Sequence, residues 1–120
     1  MHHVLIADDD RLQRKLLTQQ LAALGYDVDF AADGEEALRL AQANRYDVAL
    51  LDYQMPGMNG VELFERLREL QPEIRGVLVT AYASIHTVYP AVGVGVAHIV
   101  AKPVDLDELR AILQAVLSNS

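Results

Sequence analysis

The sequence predicts an open parallel α/β sheet. Five short apolar runs alternate with five segments of helical periodicity, so each strand is followed by a helix that can cross back over the sheet. Four of the runs are continuously apolar rather than alternating, as strands covered on both faces require. Those same four runs end on polar residues. Val4-Leu5-Ile6-Ala7 leads into Asp8-Asp9-Asp10, and Val48-Ala49-Leu50-Leu51 into Asp52. Val77-Leu78-Val79 leads into Thr80, and Ile99-Val100-Ala101 into Lys102-Pro103. In such a sheet the carboxyl ends of the strands open onto one crevice, where ligands bind.

Taken in order, the first strand covers roughly 3–7 and the first helix roughly 10–24. That helix repeats Leu12, Leu16, Leu17, Leu21 and Leu24 at helical spacing, a stripe expected to face the core. The second strand, roughly 27–31, is more mixed and belongs at a sheet edge. A helix follows at roughly 34–43, then a strand at 47–51, a helix at 60–70 and a strand at 76–80. The last pair is a strand at roughly 97–101 and a helix at 105–118, the latter carrying Leu106, Leu109, Ile112, Leu113, Val116 and Leu117. Four helix starts carry a short polar residue followed three positions later by Gln or Glu: Asp10–Gln13, Asp33–Glu36, Asn59–Glu62 and Asp105–Glu108. Each matches the loose capping-box pattern, in which the first side chain satisfies free helix N–H groups.

The fourth helix, roughly 84–92, is the exception. Ser84 can cap it, but Thr87 stands where an acid would complete the box. Pro90 falls inside it, and Gly93 and Gly95 follow. An interior proline costs about 3 kcal/mol and each glycine about 1 kcal/mol relative to alanine. A short or kinked element of low stability is expected there.

At 120 residues the chain is the size of one domain, 1–120, large enough for a substantial core. With 52% hydrophobic residues it should be globular rather than disordered. A formal net charge of −7 argues against direct nucleic-acid binding, which needs a basic patch. The absence of cysteine excludes disulfides and thiolate metal sites and is compatible with a cytoplasmic protein. No apolar run is long enough to span a bilayer. Met1-His2-His3 leads directly into a strand with no signal-peptide pattern, and the histidine pair is assigned no role.

The strand-end residues suit phosphoryl transfer. Aspartate can act as a nucleophile and carry an acyl phosphate. The reaction asks of the protein mainly positioning and neutralisation of charge on the phosphoryl oxygens. Mg²⁺ prefers oxygen ligands, which Asp8, Asp9 and Asp52 can supply. Lys102 would offset phosphate charge, and the Thr80 hydroxyl can donate to a phosphate oxygen. Asp10 fits a helix cap better than a ligand. Taken singly, Asp8-Asp9 is a solvated turn, Asp52 a strand-end residue, Thr80 a β-former and Lys102 a surface lysine; the signal lies in their joint placement.

Over its whole length the chain resembles the receiver domains of two-component response regulators. The likeness rests on Leu5-Ile6-Ala7-Asp8-Asp9-Asp10, on Asp52-Tyr53-Gln54-Met55-Pro56-Gly57-Met58-Asn59-Gly60, on Thr80-Ala81-Tyr82-Ala83 and on Lys102-Pro103. The middle motif is the most specific. The resemblance implies a flavodoxin-like, doubly wound (βα)5 fold with strand order 2-1-3-4-5. It implies that Asp52 accepts a phosphoryl group from a phosphohistidine on a sensor kinase or phosphotransfer protein. Asp8, Asp9, Asp52 and the backbone carbonyl of Gln54 would hold Mg²⁺, and Thr80 and Lys102 would bind the phosphoryl group. It further implies a cis Lys102-Pro103 bond, turn roles for Gly57 and Gly60, and a tuning role for Gln54 and Tyr82 in phosphate lifetime. The domain would be a cytoplasmic signalling switch rather than a metabolic enzyme, working through an output domain or a homodimer.

Two departures stand out. Many receivers place Tyr or Phe three residues before the lysine of the last strand, and here that residue is Ile99. His98 beside it should face the other side of the strand, as a surface residue. The fourth helix, with Pro90, Gly93, Gly95 and the apolar series Val88, Val92, Val94 and Val96, lies on the surface receivers use to meet partners. A haloacid-dehalogenase-type phosphatase would want an acid where Gln54 stands. A flavodoxin-type cofactor binder would want a phosphate loop where three aspartates would repel phosphate. A degenerate receiver, acting as a phosphorylation-independent interaction module, is opposed by the complete set of acids, Thr80 and Lys102.

Overall fold

The computed structural model describes residues 2–81 and 84–118. The expectation on Tyr82 and the chain end at Asn119-Ser120 lie outside the described residues. The elements run β1 (His3–Ala7), α1 (Arg11–Ala23), β2 (Asp27–Ala31), α2 (Gly34–Ala43), β3 (Val48–Asp52), α3 (Gly60–Leu70), β4 (Arg75–Thr80), α4 (Ile85–Gly93), β5 (His98–Ala101) and α5 (Leu106–Ser118). The strands form one parallel sheet in the order β2-β1-β3-β4-β5. That is the flavodoxin-like arrangement. The chain reverses its winding between β1 and β3, so the crevice opens beside Asp8 and Asp52.

The pleat divides each central strand between two cores. Val4, Ile6, Val48, Leu50, Val77, Val79 and Val100 face α1 and α5, against Leu17, Leu21, Leu109 and Leu113. Leu5, Ala7, Ala49, Leu51 and Leu78 face the other way, against Ala37 and Ala41 of α2, Leu63, Phe64 and Leu67 of α3 and Ala91 of α4. β1 and β3 are buried on both faces, which explains their continuous apolar runs. β2 lies at one edge and keeps its mixed composition. Gly76 in β4 is required by packing: a Cβ there would lie 2.5 Å from the Phe64 ring.

All four expected caps form. Asp10, Asp33 and Asn59 accept from the backbone N–H of Gln13, Glu36 and Glu62, and Asp105 accepts from those of Asp107 and Glu108. The box is reciprocal at α3, where Glu62 accepts from the Asn59 N–H. At α2 the Glu36 carboxylate instead takes the Ala32 N–H.

The α1 stripe and the Ser84 cap need correction, while α4 is short as expected. Only Leu17 and Leu21 of the α1 stripe are buried; Leu12 and Leu16 are 66% and 45% exposed, and Leu24 is also exposed. The helix lies on the β1–β2 side of the sheet, which covers only a narrow strip of its surface. α4 is short, nine residues, and continues one turn past Pro90; Ser84 makes no side-chain cap bond. The apolar series after it is split, since Val94 and Val96 pack on the core while Val92 is exposed. His3 is tied into the fold: its Nε2 lies 2.9 Å from Asp29 Oδ2, and its ring packs on that of Tyr46. Burial and the neighbouring Asp29 carboxylate push the Tyr46 hydroxyl well above its ordinary pKa. Ile99 is half-buried on the α4 side, and His98 is exposed, as expected. No helix among the described residues is long and apolar enough to cross a membrane.

Candidate phosphoryl-transfer site

β1 and β3 are adjacent and in register to Ala7↔Leu51. Asp8 therefore leaves β1 beside Asp52, the last residue of β3. One ligand atom each from Asp8, Asp9 and Asp52 falls within 4.8 Å of the others. Asp8 and Asp52 are 2% and 5% exposed, whereas Asp9 faces solvent. Two carboxylates this buried and close resist ionisation together. Burial pushes Asp8 up to about 6; the Asp10 N–H, 2.8 Å from its Oδ1, pulls the other way, and the Asp52 charge raises it further. Asp52 is raised too, chiefly by burial and against the pull of Lys102.

Lys102 is delivered from β5, the far neighbour of β4. Its Nζ stands 3.2 Å from Asp52 Oδ1 and 3.9 Å from Asp8 Oδ2. The Lys102-Pro103 bond is cis, as the resemblance implied. The backbone also aligns this residue, because the Lys102 N–H donates to the Thr80 carbonyl at 2.8 Å. Thr80 ends β4, buried, one position beyond Val79, the register partner of Asp52. The Gln54 N–H approaches Asp52 Oδ1 at 3.4 Å, and its side chain points to solvent. The fold thus brings Asp8, Asp9, Asp52 and Lys102 together, although two β-strands lie between β1 and β5, with Thr80 at the end of β4 and Gln54 two residues beyond Asp52.

The donor set fits a hard divalent cation. Three carboxylates converge, two of them with pKa values raised by burial, and a cation there would favour their charged forms. The Lys102 ammonium approaches Asp52 and Asp8 from the β5 side.

The two glycines differ in role. Gly57 has φ +83° and makes the turn after β3. Gly60 is not a turn residue: it opens α3, and a Cβ there would lie 2.6 Å from the Asp52 carbonyl and 2.8 Å from Leu78 Cδ1. Sequence reasoning also overlooked Arg14, whose Nη1 donates to the Asp8 carbonyl at 2.9 Å. Its position on α1 gave no signal beyond that of a surface base.

Comparison with known proteins agrees with this geometry. The family described as "Response regulator receiver domain" matches residues 4–114. Sporulation initiation phosphotransferase F of Bacillus subtilis is 36% identical over 107 residues, covering 89% of this chain and 86% of that protein. Regulatory protein AtoC of Escherichia coli is 35% identical over 117 residues, 98% of this chain but only 25% of that protein, so the chain spans about a quarter of its length. Among solved structures, a CheY-like receiver domain from Methanospirillum hungatei superposes with a TM-score of 0.95 at 30% identity, covering 99% of this chain and 95% of that one. Chemotaxis protein CheY4 of Vibrio cholerae gives 0.93 at 34% identity, covering 98% and 99%. The chain belongs to the response regulator receiver domain family.

Proposed function

We propose that Asp52 is the phosphoacceptor of this receiver and that a phosphohistidine on a sensor kinase or phosphotransfer protein is its donor. The observation that carries this is the position of the Asp52 carboxylate: buried, 3.2 Å from an ammonium and within 4.8 Å of two further carboxylates. An Asp52 oxygen attacks phosphorus, the phosphorus–nitrogen bond to the imidazole breaks, and the released nitrogen keeps the electron pair and takes up a proton. Mg²⁺, when bound, offsets charge on the transferring phosphoryl group. Asp8, Asp9, Asp52 and the Gln54 carbonyl hold it. Lys102 moves from carboxylate to phosphoryl oxygen, and the Thr80 hydroxyl donates to another.

The whole of residues 1–120 acts as one receiver. It is a signalling switch that catalyses only its own phosphotransfer and dephosphorylation, and a cytoplasmic setting belongs to this reading. Exposed Leu12 and Leu16, flanked by exposed Arg11 and Lys15, support docking of the donor beside the site. The signal leaves through Thr80, Ile99 and α4. Between Arg75 and Lys102 the sequence has no Asp, Glu, Lys or Arg, and Tyr89 on α4 is 78% exposed. In a chain of net charge −7, that uncharged face supports contact with an output domain or a second copy.

Incubation with Mg²⁺ and acetyl phosphate, followed by intact-mass measurement, tests the acceptor. The parent gains one phosphoryl group and Asp52→Ala gains none. A gain in both proteins refutes the assignment.

A further inference from the structure

We propose that Arg14 is a positioning residue for the cation-binding turn, acting by locking the peptide between Asp8 and Asp9. This rests on the reading of Asp8, Asp9 and Asp52 as a Mg²⁺ site.

Asp8 is the first residue beyond the β1 ladder, whose pairings with β2 and β3 end at Ala7. Its N–H still donates to the Ala31 carbonyl at 3.1 Å, and its carboxylate accepts from the Asp10 N–H at 2.8 Å. Its carbonyl accepts from Arg14 Nη1 at 2.9 Å. That oxygen belongs to the peptide unit joining Asp8 to Asp9. Because the unit is planar, holding its oxygen constrains ψ of Asp8 and φ of Asp9 together, the two torsions that set how Asp9 stands relative to Asp8.

Arg14 is itself held. Its N–H closes the first turn of α1 on the Asp10 carbonyl at 2.9 Å. Its guanidinium carbon lies 5.6 Å from the centroid of the Phe30 ring. Phe30 is exposed on the edge strand β2, where burial gives an aromatic no reason to be. A planar guanidinium can stack on a ring and donate in its own plane at once, which an ammonium cannot do. The chain is thus Phe30 to Arg14 to the Asp8–Asp9 peptide.

Positioning and charge have opposite signs, which makes the role testable. Arg14 is a cation near a cation site, so if it acts only through charge, removing it tightens Mg²⁺ binding. If it positions the turn, removing it weakens binding. Mg²⁺ affinity is measured by titration calorimetry on the full chain, with melting in EDTA to establish that each variant is folded. Arg14→Met weakens Mg²⁺ binding about tenfold, the low end for groups that orient metal ligands. Arg14→Lys, which keeps charge and a donor, recovers part of the loss. Phe30→Leu, which leaves the arginine untouched, weakens binding about threefold. Arg14→Met that binds Mg²⁺ as tightly as the parent, or more tightly, overturns the proposal. So does an unchanged affinity in Phe30→Leu, which also serves if Arg14→Met does not fold. A parent that binds no Mg²⁺ overturns the metal reading itself, an outcome distinct from variants that match a binding parent.

Discussion

The Nζ of Lys102 stands 3.2 Å from Oδ1 of Asp52 and only 3.9 Å from Oδ2 of Asp8, so one ammonium serves two buried carboxylates. Truncating it leaves both without their cation. Lys102→Met should therefore bind Mg²⁺ at least as tightly as the parent yet accept phosphate from acetyl phosphate at least about tenfold more slowly, since a donor aimed at transition-state charge is lost. Calorimetry and time-resolved intact mass check the two halves separately.

The same crowding predicts the pH dependence of metal-free stability. Burial raises Asp8 from 3.8 to about 6 in the folded state. Between those values the folded chain holds more protons than the unfolded one, so stability falls as pH rises. The penalty is fully present above about 6 and absent below about 4. Asp8→Asn removes it, and in EDTA at pH 7 the variant should unfold at higher urea than the parent, by on the order of 2 kcal/mol. The advantage should vanish near pH 4, which parallel urea titrations read directly.

Gly60 lies against the main chain of Asp52, so a Cβ there meets backbone rather than a flexible side chain. Gly60→Ala should lose about 1–3 kcal/mol to overpacking despite the better helix propensity of alanine. Gly57→Ala, at positive φ in open space, should lose about 1 kcal/mol from backbone conformation alone. Urea denaturation separates them, and phosphorylation should slow more in Gly60→Ala because Asp52 shifts.

Asn59 and Glu62 form a reciprocal capping box, immediately after the loop that carries Gln54. Asn59→Ala should cost about 1 kcal/mol, read from chemical denaturation.

In α4 the ring of Pro90 denies the helix one hydrogen bond, to the carbonyl of His86. Pro90→Ala should slow hydrogen exchange across 85–93. In the parent, Mg²⁺ with beryllofluoride should change protection across 84–98; unchanged protection there would sink the idea that α4 carries the signal.

Much of this was legible in the sequence because the information is local. Strand ends, helix starts and the four caps follow from residues within three or four positions of one another, and the ends of all ten elements fall within one residue of expectation. The site was legible for a topological reason: in a parallel sheet every strand's carboxyl end faces one crevice, so Asp8, Asp52, Thr80 and Lys102 share a location whatever the loops do. The α1 stripe misled because helical spacing says which residues share a face, not how wide a strip the sheet covers. Leu12 and Leu16 share the periodicity of Leu17 and Leu21 but lie beyond that strip.

The sequence by itself determined the fold class, the caps and the identity of the polar residues at the strand ends. Only the tertiary structure decided that Lys102 bridges Asp52 and Asp8, that Gly60 makes room for the Asp52 carbonyl and that Arg14 reaches the Asp8 carbonyl. The physical reason is range. Propensity and periodicity act through the chain over a few residues, whereas burial, charge coupling and steric contact act through space between segments that the sheet brings together.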